Sequence, residues 1–298
     1  MNTPLPASYR VTLINTVDGV AAGDIQRVSD VLGKAAPHIF GQGRAVDFLP
    51  TTPAPTDTLA LATAIRDAWG NDPTPFDVCV QKATAPRQKR LLLSDMDATI
   101  VAEESLDVLA DYAGCGAHVA AITTRAMRGE LDFEAALRER VALLNNQPTS
   151  LIDRALSDMT VSPGAETLVS TMKAWGAKTV LISGGFTPFT DHVKTLVGFD
   201  NSLGNALGMD HGTLTGEVLG PIVDKYVKQQ TLLQQAQNLG LSTEDTLAVG
   251  DGANDLLMLQ AAGLGVAYRG KPLLKQHIPT WVDISDLTAL LYMQGFEA

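Results

Sequence analysis

The run Leu91-Leu92-Leu93-Ser94-Asp95-Met96-Asp97-Ala98-Thr99-Ile100 decides how this chain is read. An apolar strand stops in two carboxylates with one residue between them. Uninterrupted apolar strands suit the middle of a parallel sheet, where both faces are covered. Open α/β sheets bind ligands just beyond the carboxyl ends of their strands. Asp95 and Asp97 therefore stand where such a fold keeps its chemistry. If the chain stays extended there, residues two apart point the same way and two like charges meet, which a cation would relieve. Taken alone, Asp-x-Asp reads equally well as an acidic, solvated turn.

The same pattern recurs along the chain. Thr179-Val180-Leu181-Ile182-Ser183 is a second strand, ending in Gly184-Gly185. Thr246-Leu247-Ala248-Val249-Gly250-Asp251 is a third, followed by Gly252-Ala253-Asn254-Asp255. Helices at 164–175 and 226–239 and short strands at 264–268 and 281–284 complete an alternation that predicts an α/β fold with a doubly wound parallel sheet. Glycine turns between β-prone pieces at 205–219 predict a hairpin. A long helical region, 104–160, interrupts the alternation and reads as a cap inserted over the strand ends.

Upstream lies a small α/β module. It has a strand at 9–14, a helix with Ile25, Val28, Val31 and Leu32 at helical spacing, and a strand at 45–49 stopped by the Pro-rich turn 50–55. A second helix follows, capped by Thr56 or Asp57 and running through Trp69, and then a strand at 76–80. This β-α-β-α-β order resembles a shortened ferredoxin-like or ACT-type domain. The basic, Pro-containing stretch 83–90 reads as a solvated linker. The expected division is a module at 1–84, a core at 85–103 and 161–298, and a cap at 104–160.

Composition narrows the function classes. The chain has 298 residues, 45% hydrophobic and 18% charged, as in a soluble globular protein with a sizeable core. A net charge of -11 argues against nucleic-acid and anionic-membrane partners. An anionic ligand must then be held by a few placed cations. Cys79 and Cys115 have no metal or redox spacing and read as buried apolar residues of a reducing compartment. The chain shows no leader pattern and no apolar run of transmembrane length, so a cytoplasmic location is expected.

Three strand ends carry polar groups, and together they can form one site. Carboxylates from separate strands suit Mg²⁺, a hard cation whose shell is completed by water and phosphate oxygens. The Ser183-Gly184-Gly185 turn offers a hydroxyl and close backbone N–H groups to an anion. Lys228, in the first turn of the helix at 226–239, could add a positive charge, although a lone lysine is ordinarily solvated. Phosphoryl transfer is the chemistry these parts suit.

Asp95-Met96-Asp97-Ala98-Thr99, Ser183-Gly184-Gly185, Lys228 and Gly250-Asp251-Gly252-Ala253-Asn254-Asp255 resemble, in order, the four motifs of the haloacid dehalogenase superfamily. The likeness spans residues 90–290 and, within the superfamily, points to the phosphoserine phosphatases. Ala98 departs from it, since serine is common there, and the motif spacing favours Lys228 over nearby Lys225. The resemblance implies a Rossmann-like core with Asp95 as nucleophile, forming an aspartyl-phosphate. Asp97 would be the general acid and base. Mg²⁺ would be held by the Asp95 carboxylate, the Asp97 backbone carbonyl and the Asp251 carboxylate. Ser183, the Gly184 N–H, Lys228 and Asn254 would hold the phosphate oxygens, and Asp255 would steady the metal's water shell.

In the cap, Phe133, Ala136, Leu137, Val141 and Leu144 form an apolar stripe, and Arg140, seven residues after Phe133, lies on it. A guanidinium facing inward suits a carboxylate, unless it snorkels to water from the edge of the stripe. The resemblance assigns the substrate carboxylate to Arg140, a covering role to Met127 and Phe133, and the substrate ammonium to Glu104. Glu103 is chemically equal, and only the family spacing selects Glu104. Phosphate, carboxylate and ammonium together describe an O-phospho amino acid, and the resemblance implies O-phospho-L-serine, hydrolysed to L-serine as the last step of serine biosynthesis. The alternative is another small-molecule phosphatase or phosphotransferase of the superfamily. A different class, an amino-acid sensor, would use the first module for binding. That module could also simply pack against its counterpart in a homodimer.

Overall fold

A computed structural model of the protein describes residues 8–50 and 57–297. The first module comprises β1 (Tyr9–Ile14), α1 (Ala22–Val31), β2 (Pro37–Phe40), β3 (Ala45–Phe48), α2 (Thr58–Asp67) and β4 (Asp77–Lys82). The sequence predicts three strands here, and the structure has four. Pro37-His38-Ile39-Phe40 is short, starts with proline and is largely exposed, so it carries no alternation signal. It becomes a strand because β3 offers an antiparallel edge, from Pro37 opposite Phe48 to Phe40 opposite Ala45. The resulting β-α-β-β-α-β unit, with strands in the order β2-β3-β1-β4, is ferredoxin-like. Asp57 caps α2 by accepting the Ala60 N–H at 2.7 Å. Thr56 and most of the Pro-rich turn lie outside the described residues.

The core begins with β5 (Leu91–Ser94), and the cap follows as α3 (Ser105–Tyr112), α4 (Gly116–Met127), α5 (Phe133–Ala142) and α6 (Ser150–Ser157). The chain then runs through α7 (Ala165–Ala174), β6 (Lys178–Phe186), α8 (Thr187–Val197), β7 (Asn201–Asp210), β8 (Thr213–Leu219), α9 (Lys225–Asn238), β9 (Thr246–Gly250), α10 (Leu256–Ala261), β10 (Leu264–Tyr268), α11 (Pro272–His277), β11 (Thr280–Val282) and α12 (Ala289–Met293). The strand order β11-β10-β9-β5-β6-β7 is parallel throughout, and β7 and β8 form the expected hairpin. From β5 the chain proceeds to one side through β6 and β7, then crosses over to β9 and β10 on the other. That reversal makes the carboxyl ends of β5, β6 and β9 the topological switch point, where such sheets bind ligands.

The cap is carried on a pair of stems: the Ala102 N–H donates to Thr160 O at 2.9 Å and the Ser162 N–H to Ile100 O at 2.8 Å. The link between α5 and α6 is bonded to the hairpin, with the Asn146 N–H on Leu214 O at 2.9 Å and the Leu214 N–H on Gln147 O at 2.8 Å.

The first module is not set off by a solvated linker. β4 pairs with β11 through Val78 opposite Trp281, so one eleven-stranded sheet runs through both parts. The Asp77 carboxylate accepts the N–H groups of Asp283, Ile284 and Ser285 at 2.8, 3.1 and 2.9 Å. The Arg66 guanidinium lies 3.7 Å from the Trp281 ring centre. Within the stretch read as a linker, Lys89 is fully buried, its ammonium donating to Pro86 O at 2.6 Å and Glu244 O at 2.7 Å. Arg87 reaches Asp47 at 2.7 Å. Among the described residues no helix is long and apolar enough to cross a membrane.

Candidate active site

β5 ends at Ser94, and the Asp95 N–H makes one further bond to Val249 O at 2.9 Å. The chain then turns, helped by Ala98 at φ 50°, in the left-handed region that a residue with a β-carbon seldom occupies. The turn corrects the expectation that Asp95 and Asp97 point the same way. Asp95 Oδ1 lies 2.8 Å from Lys228 Nζ and accepts the Met96 N–H at 2.8 Å. Both donors meet Oδ1. The Asp97 carboxylate instead accepts the Ser105 N–H at 2.9 Å and the Ser183 hydroxyl at 3.0 Å. With both oxygens engaged, Asp97 has its backbone carbonyl left for a metal.

Lys228 is not the ordinary solvated lysine. It is 0% exposed and also lies 2.7 Å from Asp255 Oδ1. Lys225, the nearby alternative, is exposed. The start of α9 is fixed by Asp224, which accepts the N–H groups of Tyr226 and Val227 at 2.9 and 2.8 Å. Burial alone would lower the Lys228 pKa, but Asp255 and Asp95 outweigh it and hold the ammonium charged. Burial, and then the charge of Asp255, raises the Asp95 carboxyl well above its usual range, against the pull of Lys228. Burial likewise raises Asp97, opposed by its bonds from Ser105 and Ser183, and a raised carboxyl suits a proton donor.

At the end of β9, Asp251 is buried and its carboxyl is raised by burial. Asp95, Asp251 and Asp255 each present a carboxylate oxygen within 4.8 Å of the others. Asp255, assigned to a water shell on the family pattern, thus belongs to the cluster itself. It is fully buried, and its second oxygen accepts the Gly252 N–H at 3.0 Å. Four carboxyls, Asp95, Asp251, Asp255 and Glu104, face two ammonium groups, Lys228 and Lys271, in these contacts. An oxygen-only donor set with surplus negative charge fits a hard divalent cation.

The expected turn at Ser183-Gly184-Gly185 is instead the irregular end of β6, and it requires its glycines. A β-carbon on Gly185 would lie 2.9 Å from Asp97 Oδ2 and 2.9 Å from Ser105 Oγ. One on Gly184 would lie 3.2 Å from Phe133 Cζ, which puts the cap ring on this segment although Phe133 is 38% exposed overall. Asn254 is half-buried in the turn after Asp251.

On the cap side, Glu104 and Glu103 separate. Glu103 accepts the Thr160 N–H at 2.9 Å and so braces the stems. The Glu104 carboxyl lies 3.9 Å from Lys271 and is pushed up to about 7, by desolvation first and then by Asp97, with Lys271 opposing. Arg140 is half-buried and its Nε donates to Ala136 O at 3.3 Å. Burial lowers its pKa, opposed by the charges of Asp107 and Glu104. Met127 is 81% exposed.

Three residues join the site without having been singled out from sequence. Lys271, 3.1 Å from Asp251, follows β10, one more carboxyl end on the same sheet edge, and that position was its available signal. Ser105 opens α3 and holds Asp97 through its N–H. Asn205, inside the hairpin, is joined to Gly184.

Residues 92–260 match the family described as haloacid dehalogenase-like hydrolase. The chain belongs to that family. A phosphoserine phosphatase of Streptomyces coelicolor is 43% identical to this hydrolase over 209 residues, 70% of this chain and 51% of that protein. The chain therefore spans about half the length of that relative. The crystal structure of a hydrolase of the family from Salmonella enterica serovar Typhi superposes with a TM-score of 0.85 at 30% identity, covering 97% of this chain and 100% of that one. A solved phospho-aspartyl intermediate analogue of phosphoserine phosphatase superposes with a TM-score of 0.64 at 38% identity, covering 69% of this chain and 98% of that one.

Proposed function

We propose that this hydrolase is a Mg²⁺-dependent phosphoserine phosphatase, releasing L-serine and phosphate from O-phospho-L-serine as the last step of serine biosynthesis. One observation carries the reading. Asp95, paired with the buried Lys228 at 2.8 Å, stands at the switch point in a cluster with the carboxylates of Asp251 and Asp255.

Asp95 would attack phosphorus with one carboxylate oxygen, forming a carboxyl-phosphate bond as the bond from phosphorus to the seryl oxygen breaks, and offer the other to the metal. That oxygen leaves as a hydroxyl once Asp97 gives it a proton. Asp97 then takes a proton from the water that cleaves the aspartyl-phosphate. Ser183, the Gly184 N–H, Lys228 and Asn254 would hold the phosphoryl oxygens. Asp95, Asp251 and the Asp97 carbonyl are the groups that would hold Mg²⁺, with Asp255 steadying its water shell; when bound, the ion offsets the repulsion between an anionic nucleophile and an anionic phosphate. Glu104 would take the substrate ammonium and Arg140 its carboxylate.

The test is phosphate release by the purified protein from O-phospho-L-serine, phosphothreonine and sugar phosphates, with and without Mg²⁺. The expected result is Mg²⁺-dependent release strongest on phosphoserine. Turnover of sugar phosphates with none of phosphoserine would assign the site to a different phosphatase of the family.

A further inference from the structure

The Ser183-Gly184-Gly185 segment, in the irregular end of β6, would hold the phosphate, yet two glycines hold a shape poorly. Neither has a β-carbon to restrict φ and ψ, and the peptide between them can swing as one rigid plane. Asn205 removes that freedom. It is 1% exposed, and its Nδ2 donates to Gly184 O at 2.7 Å. Carbonyl and N–H point opposite ways across a trans peptide, and no cis bond occurs among the described residues. The Gly185 N–H therefore points away from Asn205 and donates to Ser183 Oγ at 2.8 Å. Ser183 Oγ in turn donates to Asp97 Oδ2 at 3.0 Å. One side chain fixes the plane that orients the Ser183 hydroxyl and, through it, the Asp97 carboxylate.

The other end of the Asn205 amide matters equally. Its Oδ1 accepts the Val223 N–H at 2.8 Å, immediately before Asp224 caps the helix that carries Lys228. The two halves of the phosphate cradle come from different elements, β6 and α9, and Asn205 bonds to β6 at Gly184 and to Val223, two residues before α9 begins.

We infer that Asn205 is a positioning residue for the phosphoryl group. It holds the Gly184–Gly185 peptide in register with the start of α9, so that Ser183 and Lys228 address the same oxygens. The inference rests on the phosphatase reading of the site, but not on which phosphate ester is the substrate.

The probe is orthovanadate, a phosphoryl mimic, bound to the full-length protein with Mg²⁺ and measured by calorimetry. Asn205→Leu keeps the volume and loses both bonds. Its Kd should rise at least about tenfold, as expected when a buried carbonyl loses its donor. Asn205→Asp keeps an acceptor for Val223, but when ionised has no donor for Gly184 O; a protonated carboxyl regains one. Its loss of affinity, relative to wild type at the same pH, should shrink as pH falls. A merely structural asparagine would lower thermal stability without that pH signature. Orthovanadate affinity at high pH in Asn205→Asp within about twofold of wild type overturns the inference. That variant decides alone if Asn205→Leu does not fold. Wild-type protein that binds orthovanadate but leaves phosphoserine intact sinks the substrate reading and leaves the Asn205 comparison standing. Wild-type protein that does not bind orthovanadate overturns both.

Discussion

Lys228 and Arg140 are the two cations that the proposed substrate calls for, and they are housed differently. Lys228 is fully buried at the sheet edge, 2.8 Å from Asp95 and 2.7 Å from Asp255. Arg140 is half-buried on a cap helix, and its hydrogen bond goes to the Ala136 carbonyl one turn back. A charge as buried as that of Lys228 must be matched by the protein itself, because leaving it unpaired would cost several kcal/mol, on the order of 3–5. Such a matched cluster is also preorganised, aimed where charge develops and shielded from water. Arg140 keeps contact with solvent and can wait for a carboxylate brought by the ligand. In the proposed mechanism the sheet edge fixes the chemistry, and the cap selects what reaches it.

The sharpest way to break that contrast is at the nucleophile. Asp95→Asn keeps the shape and removes the attacking anion. Turnover of every phosphate ester should fall by at least about 10⁴-fold, with no phosphoenzyme trapped on quenching. Activity surviving the change would move the chemistry away from the sheet edge. Arg140→Ala should act selectively. We expect kcat/KM to fall roughly 30-fold or more for phosphoserine and only a few-fold for an ester lacking the carboxylate. Equal losses on the two would make Arg140 a support for α5.

The same contrast governs what the sequence could reveal. Asp95, Ser183 and Asp251 are legible because each closes an apolar run, a signal contained within a few residues, although β6 itself continues to Phe186. Lys228 needed a motif at the right distance from Asp251, and nothing local distinguished its buried state from the exposure of Lys225. The divergence of Asp95 and Asp97 was hidden, because it depends on where β5 stops and on the left-handed turn at Ala98. Asn205 and Lys271 lie in stretches with no polar motif and reach the site through the pairing of β7 with β6 and of β10 with β9. The first module teaches likewise: its helices and three strands follow from periodicity, whereas β2 exists because β3 offers an edge. Lys89 looked solvated because its two carbonyl partners include Glu244, 155 residues away.

Glu104 should show its role through pH. Its carboxyl, pushed up to about 7, is neutral below that value and then offers no charge to an ammonium group. As pH falls through about 7, KM for phosphoserine should rise several-fold relative to KM for a phosphate ester without an amino group. The ratio cancels the ionisation of the phosphate and of Asp97, which both substrates share. A ratio that stays flat, and stays flat in Glu104→Gln too, would take the ammonium away from Glu104.

Lys271 is where the two ends of the site meet, and the smallest effect is expected there. Its ammonium lies 3.1 Å from Asp251, on the metal side, and 3.9 Å from Glu104, on the selecting side, and it is 55% exposed. It therefore competes weakly with a divalent cation at one carboxylate and with a substrate ammonium at the other. Lys271→Met removes one positive charge and leaves the carboxylates in place. The Mg²⁺ concentration for half-maximal activity should fall by a few-fold at most, since a half-exposed ion pair contributes about 1 kcal/mol or less. Lys271 also holds the Glu104 pKa down, so its loss should move the midpoint of the KM ratio to higher pH. A higher Mg²⁺ requirement would instead mean that Lys271 orients Asp251 for the metal. The division between fixed chemistry and adaptable selection would then run through the cap alone.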